Sequence, residues 1–119
     1  MPKVGWDVPS KTFSLQGIEK AAADVAGLLR ALANERRLMI LCKLVEWGEA
    51  NVNSLAETVG LSQSALSQHL AKMREEGLVT YRRESQTLWY RIADPRIEEL
   101  LATLHKLYCK PLNRAKIRS

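Results

Sequence analysis

The chain has 119 residues, enough for one domain of the usual size of about 100–150 residues and too short for a second full core. Hydrophobic residues make up 46% and charged residues 26%, the balance of an ordinary globular protein, which sets aside the disordered and membrane-spanning classes. A net charge of +5 favours a polyanionic partner through long-range attraction and counterion release.

Residues 1–13 carry Pro2 and Pro9, show no sustained period, and are expected to form a mobile arm. The start lacks the basic and apolar regions of a secretory signal, and the longest uncharged apolar run, Leu38 to Cys42, stops at Lys43, well short of the roughly 20 residues a bilayer demands. A cytoplasmic protein with no membrane partner is the expectation. From Ser14, Ile18, Ala22, Val25, Leu28, Leu29 and Leu32 recur at three- and four-residue steps, one apolar stripe on a helix over about 15–33. Asn34 restarts the chain with Glu35 in the first turn. The next helix carries Leu38, Met39, Ile40, Leu41, Leu44 and Val45, is apolar on most sides, and is expected to be central and buried up to Gly48. Asn53, or Ser54 with Glu57, is expected to cap a short third helix ended by Gly60. Ser62 caps a fourth, whose core side is Leu66, Leu70 and Met73 and which closes at Gly77. Two helices joined by Gly60-Leu61-Ser62 make a helix-turn-helix.

Beyond Leu78 the period becomes two. Val79, Tyr81 and Arg83, then Leu88, Tyr90 and Ile92, flank the turn Glu84 to Thr87 and predict a β-hairpin. Asp94-Pro95 starts a last helix with a broad stripe of Ile97, Leu100, Leu101, Leu104, Leu107 and Tyr108, followed by a basic tail over 111–119. The order α-α-α-α-β-β-α, mainly α with a small β-hairpin, is that of a winged helix-turn-helix domain spanning 14–110.

If Leu66, Leu70 and Met73 face inward, Ser64, Ser67, Gln68 and Ala71 project on the other side, with Ser62 and Gln63 at the N-terminal end. Such a face is short, polar and uncharged, which allows close approach to base edges in a major groove and direct hydrogen bonding to them. A merely solvated face is usually rich in Lys and Glu, which begin here only at Lys72. His69 borders the core side and reads as a hydrogen-bonded residue rather than a metal ligand; with Lys72 it completes the candidate DNA-binding set on this helix. On the hairpin, Arg82, Arg83 and Arg91 suit phosphates, while Trp89 and Tyr90 read as packing residues. No cofactor is expected.

Three stretches resemble the ArsR/SmtB type of small bacterial repressors: Leu28 to Leu38, Leu61-Ser62-Gln63-Ser64-Ala65-Leu66-Ser67-Gln68-His69-Leu70, and Glu76-Gly77-Leu78-Val79. The resemblance spans about four fifths of the chain. It implies a homodimer joined mainly by its first and last helices, bound to an imperfect palindrome in double-stranded DNA and released by an inducer. The chain departs from the family's metal-ligand patterns, with Asn51-Val52-Asn53 where some members carry Cys-x-Cys and Asp94-Pro95-Arg96 where others supply Asp and His. Cys42 and Cys109 instead resemble the pair of the sulfide- and redox-responsive branch, which implies a thiol switch driven by persulfide, polysulfide or oxidant. His105 and Lys110, beside Cys109, are expected to favour thiolate. The alternative is a metal- or metalloid-responsive repressor using the same cysteines with His105. A thiol enzyme would need an activated cysteine at a helix N-terminus or in Cys-x-x-Cys, and neither cysteine is so placed; a protein-binding winged helix without DNA is the third class, told apart by salt-dependent retention on duplex DNA.

Overall fold

The computed structural model describes residues 13–109, so the tail expected over 111–119, and the arm expected over 1–13 apart from Phe13, lie outside the described residues. The chain divides into two compact units, one ending at Asn34 and the other beginning at Glu35. The first unit is one helix, α1 (Leu15–Leu32), started by the Ser14 side chain, which accepts from the Gly17 N–H at 3.2 Å. Its apolar stripe is only partly covered: Leu32 is buried, whereas Ile18, Val25 and Leu29 are exposed.

The second unit runs α2 (Glu35–Trp47), α3 (Val52–Val59), α4 (Gln63–Glu75), β1 (Val79–Glu84), β2 (Thr87–Ile92) and α5 (Pro95–Tyr108). Its core draws one or more side chains from nearly every element, with Ile40, Leu41, Leu44, Leu55, Leu66, Leu70, Met73, Val79 and Ile97 all but sealed from solvent. Each such aliphatic side chain contributes about 1.5–3 kcal/mol by leaving water. α2 supplies Ile40, Leu41 and Leu44 to that core, yet it is not buried on most sides: Met39 and Cys42 are exposed. α3 is capped by Asn51 rather than by Asn53 or Ser54, its side chain accepting from the Ser54 N–H at 2.8 Å. Gly60 takes the left-handed backbone (φ 73) that turns the chain toward α4, and its N–H donates to the Ala56 carbonyl. Ser62 caps α4 and Asp94 caps α5, as the sequence predicts.

β1 and β2 pair antiparallel from Val79 with Ile92 to Glu84 with Thr87, which leaves Ser85-Gln86 as the tip of the wing. A feature absent from the sequence reading extends this sheet: Ala50, just before α3, exchanges both backbone hydrogen bonds with Tyr90 (3.0 and 2.9 Å) and ties the base of the wing to the end of α2. Among the described residues no helix is long and apolar enough to cross a membrane.

Candidate nucleic-acid interface and thiol site

Burial fixes which side of α4 is free. Leu66, Leu70 and Met73 are sealed in the core, so Gln63, Ser64, Ser67, Gln68, Ala71 and Lys72 stand exposed along the opposite side, with Ser62 exposed at the cap. His69 is half-buried at the border between the two sides. The Ser62 side chain accepts from the Ala65 N–H at 3.1 Å and so fixes the first turn of α4. Two recesses flank the helix: one of about 350 Å³ is lined by Arg37, Ala65, Gln68, His69 and Lys72, and one of about 380 Å³ runs from Asn51 and Asn53 past Gln63 and Ser67 to Gln86 and Thr87 on the wing. In the sequence Asn53, Gln86 and Thr87 are legible only as cap and turn residues and Asn51 only as a departure from a metal-ligand pattern; their shared border with α4 follows from the tertiary fold.

Two arginines at the start of α2 hold this helix pair. The Arg36 guanidinium donates to the Val59 carbonyl at 3.0 Å, and more weakly to that of Gly60, where the end of α3 leaves carbonyls without helical partners. Arg37 grips Glu76, at the end of α4, through two parallel hydrogen bonds of 3.0 and 3.1 Å, and that contact holds the Glu76 carboxyl below the usual glutamate range.

The wing arginines differ in company. Arg82 donates twice to Glu49 (2.8 and 3.0 Å) and once to Glu84 (3.1 Å), which raises its already high pKa and holds the Glu49 carboxyl low. It also lies over the Trp89 ring, while Arg74 of α4 lies 4.4 Å from the centre of the Tyr81 ring, itself edge-on to the buried Tyr90. Trp89 and Tyr90 are thus packing residues. Arg83 and Arg91 are exposed.

The thiols form a separate site. Cys42 and Cys109 are both free and both exposed, so the expectation of a cysteine on a buried helix is corrected in its detail. Cys42 borders a largely apolar cavity of about 510 Å³ between α2 and α5, together with Val45, Glu46, Leu101, Ala102, His105 and Lys106. Cys109 closes α5, its N–H donating to the His105 carbonyl at 2.8 Å. Partial burial raises the Cys42 pKa, and the negative charge that Cys109 can acquire raises it further. His105 lines the same cavity, but burial is the largest influence on the Cys42 thiol. Among the described residues no group of three or more His, Cys, Asp or Glu is arranged to hold a metal ion.

Known proteins repeat this pattern. Residues 34–81 match the model of the bacterial regulatory proteins of the arsR family. The transcriptional activator HlyU of Vibrio cholerae is 47% identical over 82% of this chain and 90% of its own length. The solved reduced HlyU of Vibrio cholerae superimposes with a TM-score of 0.73 at 48% identity, covering 81% of this chain and all of that one. The solved transcriptional repressor BigR of Xylella fastidiosa gives a TM-score of 0.76 at 37% identity, covering 82% and 98%. A matched helix pair, a wing in register and identity of this extent over nearly the whole domain have one explanation: the chain belongs to the arsR family of DNA-binding transcription regulators, which are typically dimeric and are not enzymes.

Proposed function

We propose that this regulator is a homodimeric repressor that reads an imperfect palindrome with the exposed face of α4, and that reactive sulfur species or oxidants release it by joining Cys42 and Cys109. The observation that carries the switch is that both cysteines are free and exposed, with Cys42 of α2 lining a cavity open to a small reactant and Cys109 directly following α5, whose His105 and Lys106 line the same cavity. Burial alone would make both inert. The chemistry balances without a cofactor. The thiolate of one cysteine attacks the terminal sulfur of a polysulfide and expels the shorter sulfur chain, which leaves a persulfide on that cysteine; the thiolate of the other then attacks the cysteine Sγ of that persulfide, forms the bridge and displaces hydrosulfide. Two thiols lose two protons and two electrons, and the electrons leave with the cleaved sulfur chain. A bridge retaining extra sulfur atoms forms by the same route when attack falls further along the chain.

The consequence for DNA is geometric. Half-sites lie about 34 Å apart, one turn of the duplex, so a small change in the angle between subunits moves two recognition helices out of register. A bond from α2 to the end of α5 acts on the segment where Leu107 and Tyr108 stand exposed and available to a partner subunit. Solved BigR, described as a transcriptional repressor, supports the sign of regulation, and the solved HlyU described as reduced supports a redox-sensitive thiol.

The test is operator binding by the wild type, Cys42→Ser and Cys109→Ser with and without polysulfide, with intact mass read in parallel. Both variants should bind the operator as the wild type does and stay bound under polysulfide, while the wild type gains a bridged mass and lets go. Release of a Cys→Ser dimer by polysulfide removes the thiols from the mechanism. Stoichiometric binding of a thiophilic metalloid that frees DNA, with no sulfur-modified species formed, transfers the inducer role to that metalloid.

A further inference from the structure

The first turns of α3 and α4 are joined by a side-chain hydrogen bond in which Nε2 of Gln63 donates to Oδ1 of Asn53. Both residues are exposed, and each amide has a donor end and an acceptor end. A glutamine amide free in solvent turns end over end at little cost and meets donors and acceptors alike. Here one N–H of Gln63 is engaged by Oδ1 of Asn53, which turns Nε2 toward Asn53 and leaves both lone pairs of Oε1 to a ligand, while on Asn53 both N–H groups of Nδ2 are left. The backbones beneath the pair are fixed as well: Asn51 caps α3, Ser62 caps α4, and the Arg36 guanidinium holds the carbonyl end of α3 between them. The pair borders the recess of about 380 Å³ that Ser67, Gln86 and Thr87 also line.

We propose that Asn53 is a specificity-positioning residue of the DNA-reading surface, holding the Gln63 amide so that the start of α4 selects adenine. Oε1 of Gln63 accepts from the adenine N6 amine and Nδ2 of Asn53 donates to N7, which divides between two residues the bidentate contact that a single asparagine or glutamine makes to this base. Guanine offers acceptors at both positions and sets its O6 against the Gln63 carbonyl. The inference rests on the reading of α4 as the helix that enters the major groove, and it adds a residue from the preceding helix that touches DNA and also acts through Gln63.

The test uses the full chain with a pool of duplexes carrying randomised palindromic half-sites, sequencing the bound fraction for the wild type, Gln63→Ala, Gln68→Ala, Asn53→Ala and Asn53→Asp. The position that flattens in Gln63→Ala should favour adenine over guanine in the wild type, and Asn53→Ala should cut that preference by about fivefold or more while leaving the other positions unchanged. Asn53→Asp keeps an oxygen to receive Nε2, so it should hold Gln63 in the same orientation and retain more of the preference than Asn53→Ala, while its added negative charge weakens binding evenly across sequences. Because Asn53 is exposed, all variants should keep the wild-type far-ultraviolet circular dichroism. An Asn53→Ala profile identical to the wild type overturns the proposal, and if Gln68→Ala still flattens its own position the readout face itself stands. Guanine at the Gln63 position refutes the amide orientation. A wild type without sequence preference sinks the proposal and the readout face together.

Discussion

Arg82 and Arg83 are neighbours on one strand, yet their surroundings prepare them for different work. Arg82 shares its protons with Glu49 and Glu84, so much of its charge is answered within the chain. Arg83 is exposed and forms no ion pair among the described residues, leaving its full charge to a phosphate. A cation that contacts phosphate releases about one counterion, so its removal lowers the slope of log affinity against log salt by roughly one. Arg83→Ala should therefore weaken operator and random DNA together and flatten the salt dependence between about 50 and 200 mM. Arg82→Ala should change the slope less, because Arg82 is already engaged by Glu49 and Glu84 and leaves less of its charge to a phosphate. Affinity measured across that salt range checks the assignment, and a larger loss of slope in Arg82→Ala than in Arg83→Ala reverses it. In the sequence these arginines are legible as cations on a hairpin. Their division is not, because Glu49 lies 33 residues before Arg82 and meets it only through the tie between Ala50 and Tyr90.

At the level of elements, the helix-turn-helix depends on contacts from α2. Arg37 is largely covered and its two parallel bonds to Glu76 join the start of α2 to the end of α4. Because Glu76 remains partly exposed, the pair is worth about 1 kcal/mol at most, nearer a surface ion pair than a buried one. The sign with pH follows from the lowered Glu76 pKa: the contribution is complete at neutral pH, above the ordinary glutamate range, and is lost as pH falls through the depressed folded value. Glu76→Gln should lower the melting temperature by up to about 4–8 °C at neutral pH, with the gap to the wild type closing in strong acid. A gap that persists unchanged in acid shows that ionisation of Glu76 is not its source. The elements themselves were readable with little loss, since apolar spacing, the caps Ser62 and Asp94 and the turn at Gly60 are local signals. The cap of α3 was read two residues late because Asn51 and Asn53 are chemically alike and only backbone geometry separates them. The exposed Met39 and Cys42 had no local signal either: a helical period counts apolar residues without saying what covers them.

That limit becomes informative for the whole molecule. Leu29 is 52% exposed on α1, and Leu107 and Tyr108 are 63% and 80% exposed on α5, although all three belong to the apolar stripes read from the sequence. Large apolar side chains left open at the two helices through which the family resemblance implies dimerisation are the surface expected of a subunit seen without its partner. The DNA argument requires the same partner, since a palindrome rewards two recognition helices only when one rigid body carries both. Leu29→Glu places a charge where burial against a second copy would strand it, a cost that arises only on association. The single chain already leaves this side chain in water, so its helix content should be unchanged. Sedimentation equilibrium should find the variant monomeric at concentrations where the wild type is dimeric, and its binding to a palindromic operator should fall to the level of a single half-site. If Leu29→Glu remains a dimer and binds the palindrome at full strength, the interface does not run over α1 at Leu29.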